Sequence, residues 1–294
     1  MASPPALLGL IGDPVGHSIS PVFQQAALDA LGIAARYDRW QTPAAELPAR
    51  VELLRHAPYL GANVTVPHKE AVSALLDEVD HTARRAGAVN TIRRDGGRLL
   101  GSNTDVAGFR RALREAGGFE AGGKRVVILG AGGAARAVIL ALEQEGAAAV
   151  AVANRHAERA ERLVRELRSD AAPDLVTIPW DDATSAACLR GADLLIHCTT
   201  LGMAGSTRAG VSAVDAEALH ERLFVCDIVA NPLQTPLLAA AKAAGARGLG
   251  GLPMLVYQGA AAFSLWTGAT APVDVMLAAA ERAMAGPAVA KERG

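Results

Sequence analysis

Apolar positions follow two rhythms along this chain. Early on, Ala6–Gly12 (ALLGLIG) is an unbroken apolar run of strand length, and Pro21 opens a helix expected to reach about Leu31. Arg36–Thr42 (RYDRWQT) reads as a second strand and Ala44–His56 has helical apolar spacing. Asn63–Pro67 (NVTVP) is a further strand, with a helix expected from about His68 to Leu76. AVNTIRR and RLLGSN flank Asp95-Gly96-Gly97, a turn signal that predicts a hairpin at the edge of this α/β half.

From about Asp105 the alternation tightens. A helix to Ala116 leads into the strand KRVVILG, the helix AARAVILALEQEG, the strand AAVAVANR and the charged helix HAERAERLVRELR. LVTIPW, ADLLIHCT and LFVCDIVA are three more strand candidates. Strands apolar on both faces, each followed by a helix, imply a doubly wound parallel sheet. The tail, Leu252–Met284, reads as two helices parted by Gly268 and Pro272.

Composition narrows the function classes. A chain of 294 residues suggests about two domains. Lys plus Arg number 29 against 30 Asp plus Glu, a net charge of -1, so no global field draws in nucleic acid or an anionic membrane. The three cysteines (Cys188, Cys198 and Cys226) are scattered without a C-x-x-C pair, which fits a reducing cytoplasm better than a disulfide framework. The opening residues lack the basic region of a signal peptide. The uncharged stretch Gly248–Val273 is broken by Gln258, Gly259 and Gly268, so it reads as a buried helix rather than a membrane span. The seven histidines form no H-x-H or H-E-x-x-H pattern, and no metal site is expected.

Leu129–Arg136 (LGAGGAAR) holds the G-x-G-x-x-A pattern in the context that gives it meaning, after a strand and at a helix start. Gly130 allows the tight turn, Gly132 lets the backbone approach a pyrophosphate, and Ala135 permits close helix packing. The free N–H groups of Ala131, Gly133 and Ala134 complete the anion cradle. The end of the next strand selects the cofactor. An NAD site places a carboxylate there for the ribose hydroxyls. Here Asn154-Arg155-His156 is followed by Arg159, with two guanidiniums for a 2′-phosphate. Cations at a helix N-terminus are unfavourable unless an anion joins them, and NADP is therefore favoured.

Lys69, after a strand and a proline, reads either as a solvated helix-start residue or as a cation aimed into a crevice at a sheet's end. Taken singly, Ser20-Pro21 also suits a helix start and Asn90 a hairpin cap.

GDPVGHSISP (12–21), GANVTVPHK (61–69), AGAVNT (86–91), GSNTD (101–105), GAGGAAR, NRHAER, DIVANPLQTPLL (227–238) and GLPMLVYQGAAAFSLWTG (251–268) occur in that order. Over nearly its whole length the chain resembles the shikimate dehydrogenase family, NADP-dependent enzymes of aromatic amino-acid biosynthesis. The resemblance implies a substrate domain over residues 1–104 plus 253–294 and a Rossmann NADP domain over 105–252, the C-terminal helices packing back on the first. It implies reversible NADPH-dependent reduction of 3-dehydroshikimate to shikimate. Ser18 and Ser20 would bind the substrate carboxylate, and Thr65, Asn90 and Gln258 its ring hydroxyls. Lys69 and Asp105 would form the catalytic pair at the interdomain cleft, with Lys69 giving the proton. Ile228 and Gly251 would border the nicotinamide.

The chain departs from the family pattern at three places: His197 replaces the usual Asn, His81 stands where an acid is common, and Ala230 replaces a substrate-contacting Tyr. A quinate or dual quinate/shikimate dehydrogenase is the nearer alternative, which Ala230 supports and the paired arginines oppose. A non-catalytic dinucleotide-binding sensor is the remote one, with no reason to keep both Lys69 and Asp105. A small-molecule substrate and a monomer or homodimer are expected, without nucleic-acid or membrane partners.

Overall fold

The computed structural model describes residues 4–169 and 172–285, without the side chains of 182–185. It divides into two compact units. One comprises the chain up to Ala83, Ala88–Ser102 and Gly259 onward; the other comprises Arg84–Gly87 and Asn103–Gln258.

In chain order, the elements begin with β1 (Ala6–Gly12), α1 (Ser20–Ala30), β2 (Ala35–Gln41), α2 (Leu47–Leu53) and β3 (Gly61–Val64). Next come β4 (Glu78–Val79), α3 (His81–Ala86) and the hairpin strands β5 (Thr91–Asp95) and β6 (Arg98–Ser102). The first unit's sheet runs β2-β1-β3-β5-β6-β4. β1 pairs in parallel with β2 and β3, whereas β5 runs antiparallel to β3 and β6. The expected hairpin forms around Gly96 and Gly97, whose φ values of 56° and 90° are cheap only for glycine. It does not lie at the edge, because the two-residue β4 pairs with the outer side of β6. Ile11, Val64, Ile92 and Leu99 form a core on one face with Leu47, Val51 and Leu54 of α2 and the turn after it.

The helix expected over 68–76 is replaced by turns and a short 3-10 helix, Ala71–Leu75. The carbonyl of Lys69, which an α-helix would give to the N–H four residues on, instead accepts the Val89 N–H at 2.7 Å. The approach to β5 thus pulls this segment out of helical register.

The second unit opens with α4 (Thr104–Arg111), which continues through a π-helical turn, Ala112–Ala116. Then follow β7 (Arg125–Leu129), α5 (Gly133–Gln144), β8 (Ala149–Ala153), α6 (Ala157–Leu167), β9 (Asp174–Ile178), α7 (Asp182–Arg190), β10 (Leu194–His197) and β11 (Phe224–Asp227). α8 (Pro236–Ala243), β12 (Arg247–Leu249), α9 (Leu252–Thr267) and α10 (Val273–Met284) complete the chain; α10 packs on α1. All strand pairs here are parallel, in the order β12-β11-β10-β7-β8-β9. Renumbered within the unit, this is the 3-2-1-4-5-6 order of dinucleotide-binding sheets, with the topological switch point between β7 and β10. α3, α7, α8, β4 and the three-residue β12 were not named among the expected elements; α3, β4 and β12 are too short for a periodicity to show. Among the described residues, no helix is long and apolar enough to cross a membrane.

Candidate active site

In the first unit, the ends of β1 and β3 are stitched together. Thr65 N–H donates to Ile11 O at 2.8 Å and Asp13 N–H to Val66 O at 3.1 Å. A side chain at Gly12 would strike the Thr65 methyl, so the two backbones approach this closely only because residue 12 is glycine. The loop after β1 delivers Ser18 and Ser20: Ser18 Oγ accepts the Ser20 N–H at 3.2 Å, and Arg39 of β2 anchors Ser18 O at 2.6 Å. Val64 N–H donates to Asn90 O at 2.8 Å, which ties β3's end to the turn before β5. Ser18, Ser20, Thr65, Lys69 and Asn90 therefore gather at one end of the sheet, the carboxyl end of β1 and β3, where open α/β sheets bind ligands. Ser20 and Asn90 are buried; Ser18, Thr65 and Lys69 are half-buried.

His68, beside Lys69, plays a different part. It is 2% exposed, and its Nε2 lies 2.6 Å from Thr42 O, so the ring donates to the backbone inside the unit.

A buried polar chain holds Asn90, and the sequence reading missed it. Tyr37 Oη–H donates to Asn63 Oδ1 at 2.8 Å, and Asn63 Nδ2 donates to Asn90 O at 3.2 Å and Thr91 Oγ1 at 3.1 Å. Thr91 O–H in turn donates to Asn90 Oδ1 at 3.1 Å. Burial pushes the Tyr37 phenol well above its ordinary range, so it remains a proton donor. The alternation of β2 predicts Tyr37 inside, but its partner across β1 is set only by the sheet order.

The second unit holds Asp105 and Gln258. Asn103 caps α4 by accepting the Asp105 N–H at 3.0 Å, and Asp105 lies in the first helical turn, where the dipole favours a carboxylate. A Cβ on Gly108, one turn further, would meet Gln258 N at 2.6 Å, so α4 and α9 touch at Gln258. Lys69 and Asp105 belong to different units.

At the switch point lies a cavity of about 630 Å³, within the range of cofactor sites. Gly130, Ala131, Gly132, Asn154, Arg155 and Arg159 all line it. Gly130 has φ +115°, and a Cβ there would meet Cys198 O at 2.8 Å; a Cβ at Gly132 would project into open space. This is a turn made for backbone approach to a ligand. Gly133 and Ala134 form the start of α5, whose N-cap Gly132 makes no side-chain hydrogen bond, leaving N–H groups for an anion. Asn154 Nδ2 donates to His156 O at 2.8 Å, shaping the turn that presents Arg155 and Arg159, both exposed. No carboxylate stands at the end of β8. The residues fit a 2′-phosphorylated dinucleotide.

Ile228 and Gly251 are not among the cavity's lining residues, but they touch each other: a Cβ on Gly251 would collide with Ile228 O. Trp180, Thr199, Thr200, Leu201, Arg208 and Ser212 also line the cavity and escaped the sequence reading. The signal for Thr199 lay in its position after β10, next to β7 in this strand order; Arg208 and Ser212 come from an irregular loop with no pattern. His81 is exposed at the start of α3, and Ala230 is half-buried after β11. Among the described residues, no cluster of His, Cys, Asp and Glu could hold a metal.

Residues 10–92 match the family "Shikimate dehydrogenase substrate binding domain", residues 112–235 match "Shikimate / quinate 5-dehydrogenase", and residues 251–281 match "Shikimate 5'-dehydrogenase C-terminal domain". The NADP(+) shikimate dehydrogenase of Methanopyrus kandleri is 47% identical over 270 residues, 92% of this chain and 93% of that one. The chain belongs to the shikimate dehydrogenase family. A shikimate dehydrogenase of the same NADP(+) type from Moorella thermoacetica is 46% identical, covering 92% of this chain and 90% of its own. The structure of shikimate 5-dehydrogenase from Thermus thermophilus, in complex with NADP(H) and shikimate, has a TM-score of 0.84 at 41% identity, covering 95% of this chain and 99% of that one. The α/β architecture with a Rossmann dinucleotide unit is that of this family.

Proposed function

We propose that this shikimate dehydrogenase family member catalyses the reversible, NADPH-dependent reduction of 3-dehydroshikimate to shikimate in the shikimate pathway. The observation that supports it most is the gathering of Ser18, Ser20, Thr65, Lys69 and Asn90 at one end of a sheet, in a chain that also carries an NADP-type cavity. A small polyhydroxylated carboxylate needs many hydrogen bonds, and discrimination rises when buried polar groups depend on the right partner.

In this reading residues 1–104 with 253–294 serve the substrate and residues 105–252 the cofactor. Ser18 and Ser20 bind the carboxylate through their hydroxyls; Thr65, Asn90 and Gln258 bind ring hydroxyls. Gly130, Ala131, Gly132, Gly133 and Ala134 receive the pyrophosphate, Asn154, Arg155 and Arg159 the phosphorylated ribose, and Ile228 and Gly251 flank the nicotinamide. Bound there, the reduced nicotinamide supplies the hydride. Lys69, as an ammonium, gives its proton to the oxygen as the carbonyl becomes a secondary alcohol, and Asp105 orients Lys69 and hydrogen-bonds the substrate. Shikimate oxidation reverses both transfers.

Quinate is the less favoured substrate, since the relatives described are named for shikimate and NADP(+). A reducing, cytoplasmic setting suits the three free cysteines, two of them with thiols pushed up by burial, and a monomer or homodimer is expected.

Absorbance of the reduced nicotinamide, followed with shikimate plus NADP, then with NAD, then with quinate, tests the function. No signal with shikimate and NADP would sink it. Arg155→Ala should weaken NADP about 10- to 150-fold, the worth of one hydrogen bond to a charged group, with little effect on NAD. Equal losses for both cofactors would remove Arg155 from 2′-phosphate recognition.

A further inference from the structure

His197 ends β10 at 1% exposure, and its ring bridges two partners. On one side Nδ1 lies 2.9 Å from Asp227 Oδ1. Asp227, itself wholly buried, also accepts the Thr235 O–H at 2.6 Å and the Val229 N–H at 3.1 Å. On the other side Nε2 meets Thr199 Oγ1 in a short hydrogen bond. A carboxylate only accepts, so Nδ1 donates to Asp227, and Nε2 is left to hold Thr199 Oγ1. Thr199 Oγ1 meanwhile accepts the Leu201 N–H at 3.2 Å. The hydroxyl oxygen is thus held from two sides, and the side chain's rotation is settled.

That settled rotamer matters because of its place. Thr199 lines the dinucleotide cavity, and its methyl would lie 3.0 Å from a Cβ at Gly130, the first glycine of the fingerprint. The contact falls between β7 and β10, at the switch point, where the middle of a bound dinucleotide crosses the sheet. We propose that His197 is a positioning residue of the cofactor site: clamped by Asp227, it locks Thr199 so that this wall is pre-formed for the ribose–diphosphate centre of the dinucleotide. The inference rests on the NADP reading of the cavity. It assigns a use to a buried histidine and carboxylate that the catalytic scheme leaves idle. An asparagine at 197 would reproduce only the arm toward Asp227, since its amide nitrogen overlays Nδ1 and nothing overlays Nε2.

The test reads binding rather than turnover. Trp180 lines the cavity, and the other two tryptophans, Trp40 and Trp266, belong to the first unit. Energy transfer from Trp180 to NADPH therefore gives a dissociation constant without substrate. His197→Asn and Thr199→Val should each weaken NADPH about 2- to 12-fold, the worth of one neutral hydrogen bond, with the melting temperature of His197→Asn near wild type. The double variant should bind no worse than the weaker single one, because both changes break one linkage. Wild-type affinity in His197→Asn, or losses that multiply in the double variant, would overturn the proposal. Ring ¹⁵N shifts of His197 in the unaltered protein give a second reading: the proton should reside on Nδ1, and a proton on Nε2 alone would equally overturn it. If the unaltered protein binds no NADPH at all, the dinucleotide reading itself fails, which is distinct from variants that bind as well as wild type.

Discussion

The segment that carries Lys69 is held by its backbone. The Lys69 carbonyl is held by Val89 N–H and the neighbouring His68 is anchored on Thr42, so the segment is pinned on both sides. Lys69→Ala should therefore leave the fold intact and lower turnover by about 10²–10⁴-fold, the usual contribution of a positioned acid, with NADPH binding unchanged. Steady-state kinetics on the purified variant decides this, and near-normal turnover would remove Lys69 from the mechanism. Tyr37 supports Asn90 through Asn63. In Tyr37→Phe the buried Asn63 carbonyl oxygen loses its phenol donor, which costs about 1–3 kcal/mol. Thermal melts should register that loss, and the Michaelis constant for shikimate should rise while turnover changes little, because Asn90 loses its support rather than its chemistry. An unchanged melt and Michaelis constant would mean that Asn63 finds another donor.

Among the elements, the two-residue β4 is too short to hold by ladder bonds alone, and Asp77 supplements it. Its carboxylate accepts the Leu99 N–H at 2.7 Å and an Arg55 N–H at 2.6 Å, which joins the approach to β4 with β6 and with the end of α2. The Leu99 N–H, and after it Arg55, hold the Asp77 carboxyl below its ordinary range. A depressed carboxylate contributes stability above its unfolded pKa and loses it as pH falls through the folded one. Asp77→Asn should thus melt below wild type at neutral pH, and the gap should narrow in acid. A gap that stays constant between neutral pH and pH of about 3 would show that the charge is irrelevant. His68–Leu76 carries the opposite lesson: helical spacing was present, but a hydrogen bond from a residue twenty positions later took the carbonyl the helix needed.

For the whole molecule, the division into two units bears on stability. NADP contacts are proposed for the second unit, so a saturating cofactor should stabilise that unit by about 2.7 kcal/mol at a hundred times its dissociation constant. Hydrogen exchange should show the gain in β7, β8, β10 and the start of α5. Protection confined instead to the first unit's sheet would contradict the cavity assignment. Because two units unfold, a single melting temperature need not describe both.

Much of this was legible in the residues alone. The βα rhythm after Asp105 announced a parallel sheet because its central strands β7, β10 and β11 are buried on both faces, and the glycine turn with Arg155 and Arg159 announced its ligand, because local spacing alone sets that chemistry. Ser18, Thr65, Lys69 and Asn90 were singled out one by one through the family resemblance, and the structure places them at one end of the sheet. What spacing does not carry is which strands become neighbours. The strand order alone placed Thr199 against Gly130, His197 against Asp227, and Tyr37 over Asn63, and it gave the Lys69 carbonyl to Val89 instead of a helix. Each of these contacts joins residues on different strands or turns, and pairing across a sheet is settled by the packing of whole elements, to which no local pattern responds.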